Sequence, residues 1–211
     1  MYTQFHKLLN QSTWIVTLTL SFLLSSCKND KLPILGLRTF ENNDTIYAKT
    51  PDFALENQFG QLITKDSLKE KLHIANFFFT SCPTICPKTI RSMMRIADHF
   101  KGNNQLVFIN FSIDFRKDSV PKLKSYYDKL NHPLDQFHLL HIPTKEKIKE
   151  ISEKYMSIAA EDPDAPGGFD HSGWILLADS EFHLRSYCLG TDDKDVDRFI
   201  KDIQTLLDES K

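Results

Sequence analysis

The chain has 211 residues, with 26 Lys and Arg against 28 Asp and Glu and a formal net charge of −2. These charges are spread along the chain without a basic block, which argues against a nucleic-acid partner. Its 16 Phe favour a packed globule over a disordered chain, and its 4 Cys are too few for a disulfide-stapled secreted domain.

Residues 1–26 read as an export signal rather than as part of the fold. Lys7 gives a positive start, and Trp14 to Leu24 is an apolar run interrupted only by Thr and Ser. That run is too short for a comfortable membrane span. It ends in Leu24-Ser25-Ser26-Cys27, which resembles the lipobox of bacterial lipoproteins, where the Cys is acylated and becomes the new N-terminus. An ordinary cleaved signal or an uncleaved anchor are the alternatives, and each puts the remainder outside the cytoplasm. The expectation is a monomer in the bacterial cell envelope, exposed to the periplasm and held to a membrane by lipid on Cys27. About 185 residues then remain, enough for one domain with an adequate core.

Residues 27–49 are polar, Asn-rich and weakly periodic, and read as a membrane tether; residues 50–211 read as the folded domain. Phe53 and Leu55, then Leu62 and Ile63, flank Asn57-Gln58-Phe59-Gly60 as strand, turn and strand. Asp66 to Lys71 looks like a short helix capped by Asp66. His73 to Phe79 is nearly unbroken in apolar character, as in a central strand covered on both faces. Pro87 sits where a helix would begin, followed by Ile90, Met93, Met94, Ala97 and Phe100 at helical spacing. Gln105 to Ile113 reads as a second buried strand, Ser119 to Leu130 as a helix, Phe137 to Ile142 as a strand and Thr144 to Met156 as a helix. A Pro/Gly/Asp-rich loop over Glu161 to Asp170 precedes a hairpin of Gly173 to Ala178 and Phe182 to Leu189. Thr191 would cap the last helix, with Val196, Phe199, Ile200, Ile203, Leu206 and Leu207 inward. This order implies an α/β fold with a central mixed sheet flanked by helices and an N-terminal hairpin, compatible with a thioredoxin-like fold.

The chemistry concentrates in Phe79-Thr80-Ser81-Cys82-Pro83-Thr84-Ile85-Cys86-Pro87. Two thiols stand at a strand-to-helix junction, where free backbone N–H groups and the helix dipole favour thiolate. Thiolate sulfur is both the nucleophile and the soft metal ligand. If the turn is helical, positions i and i+4 face one side, about 6 Å apart at Cβ. A small loop adjustment would then bring both sulfurs onto one metal or into one disulfide. Inert core thiols fit poorly beside two prolines at a turn.

Phe78 to Pro87 resembles the signature of the Sco/SenC family of copper-binding cytochrome oxidase assembly proteins. Asp170-His171-Ser172 resembles that family's second motif, and Ser112-Ile113-Asp114 its strand-end segment. The match runs from about Pro51 to Leu207, nearly the whole mature domain. The sequence departs from it at Thr84, where members often carry Asp, and at Phe115, where Pro often follows Asp114. The resemblance implies a copper site made by Cys82, Cys86 and His171, a Cys82–Cys86 disulfide when oxidised, and delivery of copper to the binuclear copper site of a respiratory oxidase. Two thiolates and an imidazole do form a soft set suited to Cu(I), and the nitrogen helps retain Cu(II). Zinc takes similar donors, but no general base for a zinc hydrolase accompanies them.

His171 stands apart from the other seven His because it follows the Pro/Gly loop and directly precedes a strand. Thioredoxins place a cis-Pro in the equivalent stretch, and here Asp170-His171-Ser172-Gly173 has none. Asp170 and Asp114 are candidates for orienting the imidazole or its loop, or are solvated loop acids. Cys188 alternates with Phe182, Leu184 and Ser186 and reads as a core thiol. His132, His138 and His141 match no metal motif and read as surface.

A metallochaperone is the first functional reading, its partner the copper-site subunit of an oxidase. The alternative is a thiol–disulfide oxidoreductase, with Cys82 and Cys86 as catalytic pair, that reduces cysteines of a periplasmic partner. A peroxidase of the peroxiredoxin kind is disfavoured, because Phe79 and Pro83, not Thr, stand three residues before the two Cys.

Overall fold

In the computed structural model, residues 31–132 and 136–210 are described; the stretch read as an export signal, with Cys27, therefore lies outside the described residues. Seven consecutive buried residues, Leu72–Phe78, form β5, and seven more, Leu106–Ser112, form β6. Their near-continuous apolar runs are what a strand needs when both faces are covered. Around them a five-stranded sheet is ordered β11-β10-β5-β6-β7, with β7 at Phe137–His141, β10 at Trp174–Ala178 and β11 at Leu184–Leu189. β5, β6 and β7 run parallel; β10 is antiparallel to β5, and β11 to β10. The sheet is mixed, as expected.

Four α-helices occur among the described residues: α1 (Cys86–His99), α2 (Val120–Lys129), α3 (Lys145–Lys154) and α4 (Asp193–Glu209). α1 packs on α4 and β10, and α2 on β7. The core includes an aromatic cluster: Phe77 stacks on Phe111 at 5.3 Å, and Tyr155 and Phe53 each meet Phe111 at 5.4 Å. Such pairs add to plain area burial.

Two smaller ladders lie outside the main sheet in the domain's first half. β3 (Ala54–Glu56) and β4 (Leu62–Thr64) are the expected N-terminal hairpin. Within the stretch read as a tether, β1 (Arg38–Glu41) and β2 (Asp44–Tyr47) form a further hairpin. Its turn is Asn42-Asn43, both at positive φ, the twist that two-residue hairpins prefer. Residues 32–35 are also fixed. Leu35 N–H donates to the Leu184 carbonyl at 2.7 Å, and Arg185 donates to the Leu32 and Pro33 carbonyls while pairing with Asp179 and Glu209.

Two helix starts differ from expectation. A single 3-10 turn, Lys65–Leu68, is capped by Thr64 through a capping box with Ser67, so Asp66 falls inside the turn. The last helix is capped by Asp192, whose carboxylate accepts from Lys194 and Asp195 N–H; Thr191 precedes it. Both residues offer a cap oxygen, and the acceptor that reaches the second and third N–H groups wins.

Candidate metal centre

β5 ends at Phe78 and the chain turns through Thr80 to Ile85 into α1. The turn is closed by Cys82 N–H donating to the Phe79 carbonyl at 3.2 Å. Pro87, which has no N–H, occupies the first turn of α1, no side chain caps that helix end, and the Lys88 and Thr89 N–H groups donate to the Ile85 carbonyl at 3.0 Å, which leaves the Thr84 and Cys86 N–H groups for the Cys82 sulfur. The other half of the site arrives from elsewhere. β8 (Ala159–Glu161) and β9 (Phe169–His171) form a separate two-stranded sheet, with Ala159 opposite His171. His171 thus closes a strand of its own, where the sequence reading puts it between the Pro/Gly loop and the strand that follows.

The Cys82 and Cys86 sulfurs and a His171 ring nitrogen all lie within 4.8 Å of one another, and all three residues are buried. His171 Nε2 is 3.3 Å from Cys86 Sγ and 3.6 Å from Cys82 Sγ. The ring meets the edge of Phe79 at 5.6 Å between centroids, and Phe79 in turn packs on Phe169 at 5.2 Å. Close approach of the two halves depends on Gly167. It sits at φ +83, and a Cβ there would fall 2.7 Å from the Phe79 ring and 3.2 Å from Pro83 Cδ. Only glycine admits both that conformation and that contact.

The two thiols are not equivalent. Hydrogen bonding from Cys86 holds Cys82 far below the ordinary thiol range, at about 3, helped by His171 and by the Thr84 and Cys86 backbone against the opposing effect of burial. Cys86 is pushed up in return, first by sharing its proton with Cys82, then by burial, with the nearby charge of Asp118 adding to it. In the copper-free pair Cys82 is therefore the thiol that gives up its proton first, and Cys86 the one that keeps it. Thr84, one of the two departures from the family pattern, turns its hydroxyl to Cys82 Sγ at 3.7 Å, a neutral contact where a carboxylate would repel the sulfur.

The carboxylates singled out in the sequence do not reach the imidazole. His171 Nδ1 is buried without a hydrogen-bond partner among the described residues. Asp170 is exposed, and Asp114 is buried with one oxygen accepting Lys117 N–H and the other unpartnered. Sequence reasoning passed over Asp118, whose wholly buried carboxylate accepts from Thr80 and Ser112. Its signal was only its place in the same loop as Asp114, four residues on. The three His read as surface are half-buried and bonded: His132 to Asp98, His138 to Asn57 and His141 to the Asp118 carbonyl. Cys188 is a fully buried free thiol, as expected, and burial pushes its pKa up.

Two soft sulfurs and an imidazole nitrogen, buried and preassembled, fit a copper site. Comparison with known proteins agrees. The SCO1/SenC family model matches residues 42–208. The SCO2-like protein of Rickettsia felis is 29% identical over 190 residues, covering 85% of this chain and 88% of that protein. Among solved structures, Arabidopsis thaliana ScoI with copper bound aligns with a TM-score of 0.61 and 25% identity, covering 74% of this chain and 99% of that one. BsSco, described as a member of the Sco family of cytochrome c oxidase assembly proteins with a disulfide switch, aligns with a TM-score of 0.63 and 25% identity, covering 75% and 93%.

Proposed function

Because the chain belongs to the SCO1/SenC family, we propose that it carries one copper ion between Cys82, Cys86 and His171 and delivers it to the binuclear copper site of a respiratory oxidase. The observation that carries this reading is the convergence of three donor atoms from two separate parts of the fold within 4.8 Å. Copper is the cargo. Two thiolates satisfy Cu(I), and the third donor keeps the ion while leaving room for a partner's sulfur to enter. Loading must displace the proton shared by the two thiols, so uptake releases a proton. The domain is read as a monomer, lipid-anchored through Cys27 and exposed on the periplasmic side of a bacterial envelope membrane; the lipobox-like Leu24-Ser25-Ser26-Cys27 supports the anchor and the export.

Titrating the reduced protein with Cu(I) against a competing chelator tests the site. One ion per chain is expected, bound far more tightly than by Cys82→Ala, Cys86→Ala or His171→Ala. Equal affinity across all four proteins would reject it.

A second reading is favoured by the inequality of the two thiols. The Cys82 thiolate would attack a partner's disulfide, breaking its S–S bond and forming a mixed disulfide. Cys86 would then give up its proton and attack Cys82 Sγ, releasing the partner as a dithiol and leaving Cys82–Cys86 oxidised. His171→Ala separates the readings: exchange with a disulfide substrate survives it, and copper is held more weakly.

A further inference from the structure

Beneath the thiol loop lies a carboxylate to which neither functional reading assigns a role. Asp118 is 0% exposed. One of its oxygens accepts Thr80 N–H at 2.8 Å and the Ser112 hydroxyl at 2.7 Å, and the other accepts the Thr80 hydroxyl at 2.5 Å. Its backbone N–H donates to the Asp114 carbonyl at 2.9 Å, and its own carbonyl meets His141 Nδ1 at 2.9 Å. Thr80 follows the end of β5, Ser112 ends β6 and His141 ends β7. One residue therefore ties together the ends of three neighbouring parallel strands.

Such an arrangement is not what simple packing selects. A wholly buried carboxylate is expensive, and among the described residues no Lys or Arg pairs with this one. It is tolerated because three neutral donors aim at it, and two of the three belong to Thr80, two residues before Cys82. An apolar residue would fill the space at lower cost but would let Thr80 go.

We propose that Asp118 is a positioning residue, a clamp on Thr80 that fixes the thiol loop so that Cys82 and Cys86 are held where His171 meets them. It forms no hydrogen bond with either sulfur and holds them through Thr80; its charge, which also bears on Cys86, is lost in both Asp118 variants below, so Thr80→Val, which keeps that charge, isolates the clamp. The inference rests on Cys82 and Cys86 being the functional pair, whether copper or disulfide exchange is their work. Releasing the clamp frees the loop at its hinge and uncovers Cys86, which is 1% exposed in the intact fold.

The test uses the reduced, copper-free full chain and follows alkylation by iodoacetamide peptide by peptide. Cys188, buried in the core at 0% exposure, is an internal reporter of global opening. Asp118→Asn and Asp118→Ala are expected to speed modification of Cys86 by about tenfold or more and leave Cys188 unchanged. Thr80→Val, which removes one donor and keeps the shape, gives a smaller rise and adds nothing in the Asp118→Ala background. An unchanged Cys86 rate, or Cys86 and Cys188 rising together, overturns the clamp. Because no metal is present, the outcome is separate from the copper titration: a selective rise in Cys86 stands even if the wild-type protein binds no copper.

Discussion

The two halves of the site are built in different ways. Cys82 and Cys86 sit on the turn from the most buried strand of the main sheet into α1, with Ile90, Met93 and Ile96 of that helix packed in the core. His171 sits on a three-residue strand whose ladder partner is the equally short β8, reached through a loop with Gly167 and Gly168 at positive φ. One half is joined to the domain core on both sides; the other depends on a peripheral ladder and a few loop contacts. Local stability of this kind decides which part of a fold moves. On the proposed reading, a cargo site that must hold an ion and then release it would gain from that division, the third ligand withdrawing while the two sulfurs stay in place.

Substituting the ligands probes that division with the largest effect. Cys86→Ala should weaken Cu(I) binding by more than about 100-fold, and His171→Ala by nearer tenfold. Competition titrations check this, and equal losses would mean that the two halves are not functionally distinct.

The thiol pair should also show its inequality in pH dependence. Cys82 sits at about 3 in the folded protein against 9.0 for an ordinary thiol. Between those values the unfolded chain binds a proton that folded Cys82 lacks, so stability rises with pH, is fully present above 9, and is lost as pH falls through about 3. Cys86 is raised, so its contribution has the opposite sign: full below the ordinary thiol value and declining above it. Urea unfolding of the reduced, copper-free protein at pH 5 and pH 8 should show greater stability at pH 8, by a margin that shrinks in Cys82→Ala. No change in the margin would contradict a thiolate at Cys82.

Gly167→Ala attacks the contact between the halves without touching a ligand. A methyl group 2.7 Å from the Phe79 ring, on a backbone at φ +83, should cost about 1–3 kcal/mol. Copper affinity should fall toward that of His171→Ala, while the reactivity of Cys82 stays as in the wild type. Smallest of all, Cys188→Ala should leave copper affinity within about twofold and lower stability by only about 1 kcal/mol, as loss of a small buried side chain does; calorimetry and the same titration measure both.

How much of this was legible in the sequence follows the same division. The buried strands, the thiol turn and α1 were readable because local patterns decide them: an unbroken apolar run, then Cys and Pro at a junction, then helical spacing. His171 was identified through its motif and its place after the Pro/Gly loop, not through its surroundings, so its location on β9 was missed. The carboxylates were the hardest. Asp114 and Asp118 share a loop, and only the folded turn shows which one faces Thr80 and Ser112. The β1–β2 hairpin escaped notice because Arg38–Glu41 is exposed throughout and shows no alternation of buried residues, although Asn42-Asn43 marked the turn.

X-ray absorption at the copper edge, comparing the loaded wild-type protein with His171→Ala, tests most directly whether both halves grip the same ion. The expected result is two sulfurs and one imidazole nitrogen around copper in the wild type, with the nitrogen lost in the variant. Identical spectra, with sulfur donors alone in both proteins, would contradict a centre shared between the thiol turn and β9.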